Sequence, residues 1–169
     1  MCIHLQKAFS LLEMLVVIVL IGLMSLFVLP DLSLLIQKNQ HDKVRHELHS
    51  SLNNARMQAI LNRKIVELCA PGSTTTCAQR WENGWQSHFI ETPQTPFAIN
   101  QYSQPITLHW SGFSQSIRFY ANGTSPFSNG RFIHCRAGMV SWQLVINRQG
   151  RIREGSTAEN LAQQQRCEM

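Results

Sequence analysis

Lys7-Ala8-Phe9-Ser10-Leu11-Leu12-Glu13 opens an apolar run that lasts to Leu29, and the reading of this stretch decides the fold. From Phe9 to Leu29 there are 21 residues, and Glu13 is their only charge. As a helix, such a run spans about 30 Å, the thickness of a bilayer's hydrocarbon core. A carboxylate inside it costs on the order of 3 kcal/mol on insertion scales, so something must compensate it.

Three readings compete. A cleaved secretory signal needs a short apolar core followed by a small-x-small cleavage site, and Phe27-Val28-Leu29-Pro30 offers none. A plain membrane anchor explains the length and leaves Glu13 without a reason. In the third reading the stretch resembles the type IV prepilin processing motif: a basic residue, a small residue, Phe, a polar residue, two aliphatics and Glu. That resemblance implies that a prepilin peptidase cuts between Ala8 and Phe9 and methylates the new amine of Phe9. Ala8 stands where such proteins usually carry Gly, a small-for-small departure. Cutting there makes Glu13 the fifth residue of the mature chain. Its carboxylate can then pair with the Phe9 amine of a neighbouring subunit, cancelling two charges that are costly alone in an apolar bundle.

Pro30 and Asp31 follow the run, and proline there is expected to kink the helix without ending it. Beyond it, Val44, Leu48, Leu52, Ala55 and Ala59 recur at steps of four, four, three and four. This is the apolar stripe of an amphipathic helix that ends near Asn62. Lys43, Arg45, Glu47, Asn53 and Arg56 suit its solvated face, and His41, His46 and His49 read as surface residues. From Lys64 the pattern changes to short β-branched or aromatic segments between Gly, Pro, Asn and Ser. Strands are expected at 65–69, 84–90, 106–110, 116–121, 131–135, 140–147 and 151–153. Pro71 to Thr76 has loop chemistry, and Asn122-Gly123 reads as a turn rather than a glycosylation site. No second helix is predicted. Trp81, Trp85, Trp110 and Trp142 read as core or sheet-edge residues. The expected class is α+β: a long N-terminal helix on an antiparallel β-sandwich-like body. The expected segments are a leader at 1–8, a membrane or filament-core helix at 9–29, its amphipathic continuation at 30–62, the β body at 63–154 and a polar tail at 155–169.

Five cysteines are present. Cys2 lies in the leader; Cys69, Cys77, Cys135 and Cys167 remain, an even number in a domain expected to face the periplasm. Three connectivities are possible. The favoured one closes a local loop with Cys69–Cys77 and pins the tail with Cys135–Cys167. A zinc site is the rival, but the spacing is not Cys-x-x-Cys, and His134 beside Cys135 points to the opposite strand face. No nucleophilic triad, P-loop, dinucleotide glycines or paired-acid site is evident. The chain is therefore expected to be no enzyme and to hold no cofactor or metal.

Charge is unevenly spread. The whole chain carries +5. From Trp110 to Met169 there are seven arginines, no lysine and three acids, and none of those acids precedes Arg153. Such a patch suits a polyanion. A strand ending in Cys69, then Cys77, Trp81-Glu82-Asn83-Gly84-Trp85 and Leu144 to Arg153 together resemble the GspH/FimT family of pseudopilins and minor pilins. GspH-type members build a type II secretion filament. FimT-type members are minor pilins of type IV pili, and some bind incoming DNA through a Gly-Arg-x-Arg element, which Gly150-Arg151-Ile152-Arg153 matches. The resemblance thus implies a subunit of the bacterial inner membrane and then the pilus. Its partners would be other major and minor pilins, prepilin peptidase and double-stranded DNA.

The residues support the same element. Asn147 to Gly150 reads as a hairpin turn that places Arg151 and Arg153 on one strand face, with Arg148 beside them. Three guanidiniums on a rigid edge suit duplex phosphates, with binding that is sequence-tolerant and has a log–log salt slope of roughly −2.7. Arg131 and Arg136 are candidates to extend the patch.

Overall fold

The computed structural model describes residues 10–72 and 77–167, leaving aside the side chains of residues 26–35 and 37. The leader and the processing residues Lys7, Ala8 and Phe9 lie outside the described residues. Helix α1 (Leu11–Asn62) runs on through Pro30. Residues up to Val44 and residues from Arg45 onward form two compact units, each taken by itself.

In the first unit, the apolar side chains from Leu11 to Met24 are exposed. Among the described residues no helix is long and apolar enough to cross a membrane; the described side chains of the apolar run stop at Ser25.

The second unit joins the end of α1 to two antiparallel sheets. One has the order β3-β2-β1-β5, built from β1 (Val66–Cys69), β2 (Gly84–Phe89), β3 (Ala98–Gln101) and β5 (Ile117–Phe119). The other has the order β4-β6-β7-β8, from β4 (Leu108–Gly112), β6 (Gly130–Arg136), β7 (Met139–Ile146) and β8 (Ile152–Glu154). Leu48, Leu52, Ala55 and Ala59 are each 0% exposed, so the predicted helix stripe is the buried one. Val66, Leu68, Ile117 and Phe119 of the first sheet and Phe132, Leu144 and Ile146 of the second complete the core. Trp81, on a single 3-10 turn before β2, packs edge-on to Phe132 at 4.8 Å between ring centres, and Trp110 lies 4.6 Å from the same ring. Polar contacts fix the helix to both sheets: Ser51 Oγ reaches Asn100 Oδ1 at 3.3 Å on β3, and Arg45 reaches Glu154 at 3.2 Å on β8.

Two expectations need correction. β3 was not predicted; it is a four-residue strand at the sheet edge, too short to carry a pattern of its own. The tail is not featureless either. Ser156 caps a second helix, α2 (Thr157–Ala162), in a reciprocal capping box with Glu159, and a 3-10 turn follows over Gln164–Cys167. A box of that kind offsets a short helix's weak propensity by satisfying two orphan donors. Cys69 is bonded to Cys77 and Cys135 to Cys167, each pair with Cα atoms 5.6 Å apart.

The outer face of the first sheet carries a polar row set by strand register. His88 of β2 and Arg118 of β5 flank Glu67 of β1. His88 Nε2 lies 3.3 Å from Oε2 of Glu67, and Arg118 Nε lies 2.8 Å from Oε1. The hydrogen bond from His88 holds the Glu67 carboxyl down to about 2; burial opposes this, and Ser116 and Arg118 reinforce it.

Two outcomes follow from this packing. Leu52→Ala should remove about 3 kcal/mol of stability by opening a cavity under the helix, read as a lower urea midpoint. Glu67 has a folded pKa below its unfolded value. Its contribution is therefore full above the ordinary glutamate range near 4.5 and is lost as pH falls towards about 2. Denaturation midpoints measured from pH 5 to pH 2 should fall, and Glu67→Gln should flatten part of that slope.

Candidate nucleic-acid interface

The hairpin between β7 and β8 is where the arginine-rich element folds. The Asn147 carbonyl accepts the Gly150 N–H at 2.9 Å, and Asn147 Oδ1 accepts the Arg151 N–H at 2.9 Å, which closes the turn. Gly150 has φ +72°, and a Cβ there would stand 2.1 Å from the carbonyl oxygen of Gly123. Only glycine meets both demands without strain. Gly123, φ +76°, belongs to a second turn, in which its N–H donates to the Tyr120 carbonyl at 2.7 Å. The two turns are also joined by the Ser125 N–H donating to the Arg148 carbonyl at 2.9 Å.

This double turn presents Arg148 and Arg151 to solvent, and among the described residues neither side chain has a hydrogen-bond or ion-pair partner. A third cation comes from elsewhere in the chain. Arg56 of α1 donates Nε to the Gly123 carbonyl at 2.9 Å, directly beside Gly150. On the helix wheel Arg56 looked like solvated face. Its link to the turn needs the docking of α1, which no local pattern records.

The other arginines stand differently. Arg153 lies on β8 as expected, but Glu159 of α2 grips it with two parallel hydrogen bonds, each 2.8 Å. Its guanidinium is already matched by a carboxylate. Arg131 lies across β7 from Arg153, in register through Val145, and reaches Gln143 Oε1 at 3.2 Å. Arg136 pairs with Met139 at the other end of the β6–β7 hairpin, roughly 24 Å along the strand from the turn. The structure therefore brings Arg148, Gly150, Arg151 and Arg56 together, keeps Arg153 and Arg131 on the adjoining strand face, and sets Arg136 apart.

Two further groups bear on the chemistry of the chain. Donor atoms of Glu67, Cys77 and His88 come within 4.8 Å of one another. The Cys77 sulfur is bonded to Cys69 and the Glu67 oxygens serve His88 and Arg118, so the group offers no thiolate and no idle carboxylate. At the other end of the chain, the Glu13 N–H donates to Ser10 Oγ at 3.2 Å. Ser10 thus helps start the helix that carries Glu13, a capping role the sequence reading passed over.

Comparison with known proteins adds the lineage. The family described as Type II transport protein GspH matches residues 45–150, and the prokaryotic N-terminal methylation motif matches residues 3–29. No curated protein matches the chain. Crystal structures of the type IV minor pilin FimU of Pseudomonas aeruginosa PAO1, in space groups P21 and P65, share the fold. The first is 22% identical over 72% of this chain and 92% of that one, with a TM-score of 0.58. The second is 23% identical over 69% and 94%, with a TM-score of 0.51. The N-terminal motif and the globular match together make this a minor pilin or pseudopilin, and the chain belongs to the GspH family.

Proposed function

We propose that the chain is a minor pilin of a type IV pilus that binds double-stranded DNA without sequence preference, in support of DNA uptake during natural transformation. One observation carries this reading. Arg148 and Arg151 are held outward on a rigid double turn, unpartnered among the described residues, with Arg56 bound beside them. Backbone rigidity keeps the cations at fixed spacing, as phosphate contacts require, and no helix is presented for reading base edges. In this reading Ala8 and Phe9 are the processing site for prepilin peptidase. The apolar run is held in the inner membrane before assembly, and Glu13 pairs with a neighbouring pilin in the filament. No catalytic step is involved.

A second reading has its own support. The matching family is described as a type II transport protein, which suits a pseudopilin with a structural assembly role and no contact with DNA. The N-terminal helix serves both readings, so the discriminating experiment concerns the arginines.

The full chain in non-ionic detergent, titrated into a labelled duplex, should bind with a log–log salt slope of about −2.7 for three phosphate contacts. Arg148→Gln with Arg151→Gln should reduce the slope to about −0.9. An unchanged slope removes these residues from the interface, and no binding at low salt leaves the pseudopilin reading. Separately, Glu13→Ala should keep the subunit in the membrane fraction and out of sheared filaments; wild-type incorporation would refute the pairing role.

A further inference from the structure

The element that carries the DNA surface also carries an acid set against it. Arg153 lies on β8, two residues beyond Arg151 at the turn, yet Glu159 holds both of its terminal nitrogens at 2.8 Å. That carboxylate is not a loose surface side chain. Its Oε2 also accepts the Ser156 N–H at 2.8 Å in the capping box. The helix beneath it is seated on β7 by Gln143, whose Nε2 donates to the Glu159 carbonyl at 2.8 Å and to Asn160 Oδ1 at 3.1 Å. The Gly155 N–H donates to the Gln143 carbonyl at 2.8 Å, and the Cys135–Cys167 bond ties the end of the segment back to β6. Five fastenings therefore place one carboxylate on one guanidinium.

Resting on the DNA reading above, we propose that Glu159 is a built-in competitor for duplex phosphate at Arg153. The C-terminal segment occupies a fourth cation of the DNA surface, and that cation joins the interface only when α2 gives it up. The geometry of the pair is the one a phosphate would copy: two parallel N–H donors on two oxygens. The pair is also reachable, with Arg153 50% and Glu159 29% exposed at the side chain. Exposed pairs of this kind are weakly held, so a duplex can displace the carboxylate, and the competition tunes affinity without blocking it. Gly150-Arg151-Ile152-Arg153 then acts in two steps, with Arg151 always available and Arg153 conditional on the tail.

The test is a double-mutant cycle on the full chain in detergent, with the same labelled duplex and a salt series. Glu159→Gln keeps a capping-box residue at its position, so α2 retains its start. This variant should raise affinity about fivefold at ~50 mM salt and steepen the slope by about 0.9, to about −3.6. In an Arg153→Gln background the same change should leave the slope unaltered. Replacing Cys135 and Cys167 together by Ser, which frees the segment without touching the acid, should shift affinity in the same direction as Glu159→Gln. If Glu159→Gln leaves affinity and slope at wild-type values, the competition does not exist. If it gains equally with and without Arg153, the effect is general charge removal and the proposal fails. If wild type and all variants bind no duplex, the DNA reading itself falls and takes this inference with it.

Discussion

The globular unit is built around one contact: the stripe Leu48, Leu52, Ala55 and Ala59 of α1, each residue fully buried, with apolar residues of both sheets completing the core around it. Each sheet alone would expose an apolar face, and a four-stranded sheet needs a cover to be stable. The helix supplies it to both. Ala55 and Ala59, both fully buried, continue the stripe to the end of the helix. Arg56, the next residue after Ala55, is thereby carried to the Gly123 turn, and Gly123 in turn receives Gly150. The candidate interface is built by helix docking as much as by the hairpin that bears its arginines.

That dependence explains what could be read in the sequence and what could not. Periodicity made the stripe legible, since each of its residues lies one helical turn from the next. The turn at Asn147 to Gly150 was legible from local chemistry, and the four cysteines from parity and compartment. The link from Arg56 to the Gly123 turn was not legible, because a helix wheel distinguishes buried from solvated and does not say which loop will meet the solvated face. β3 was missed because a four-residue edge strand with two exposed residues has no face to advertise. α2 was missed for a different reason. Its signal was present, Ser156 followed three residues later by Glu159, but no apolar run came after it, and the box stood without the amphipathic pattern that usually accompanies it.

Charge shows the same gap between count and arrangement. The absence of acids between Trp110 and Arg153 suggested one broad cationic surface. The structure divides it: Glu67 of β1 takes Arg118, and Glu159 of α2 takes Arg153. Of the seven arginines in that region, position and pairing leave Arg148 and Arg151 as the cluster with undivided charge at the double turn. A count of seven could have meant a tight, high-valence DNA binder. The arrangement offers few unpaired cations, so the proposed DNA contact would be low in valence and strongly dependent on salt.

A site of that strength has a consequence for where it is useful. On the proposed reading, three phosphate contacts on a lone subunit would give weak binding at physiological salt, with no base contact to add specificity. Held in a filament, the same site gains from whatever neighbours bind the same duplex, because a second contact on one strand of DNA is paid for by effective concentration rather than by new chemistry. The N-terminal segment and the arginine turn then answer one requirement from opposite ends of the chain. In the proposed function Glu13 belongs to the assembly segment, and assembly is what would let a low-valence arginine surface act. A tightly binding patch would not need the filament, and would release DNA slowly from it.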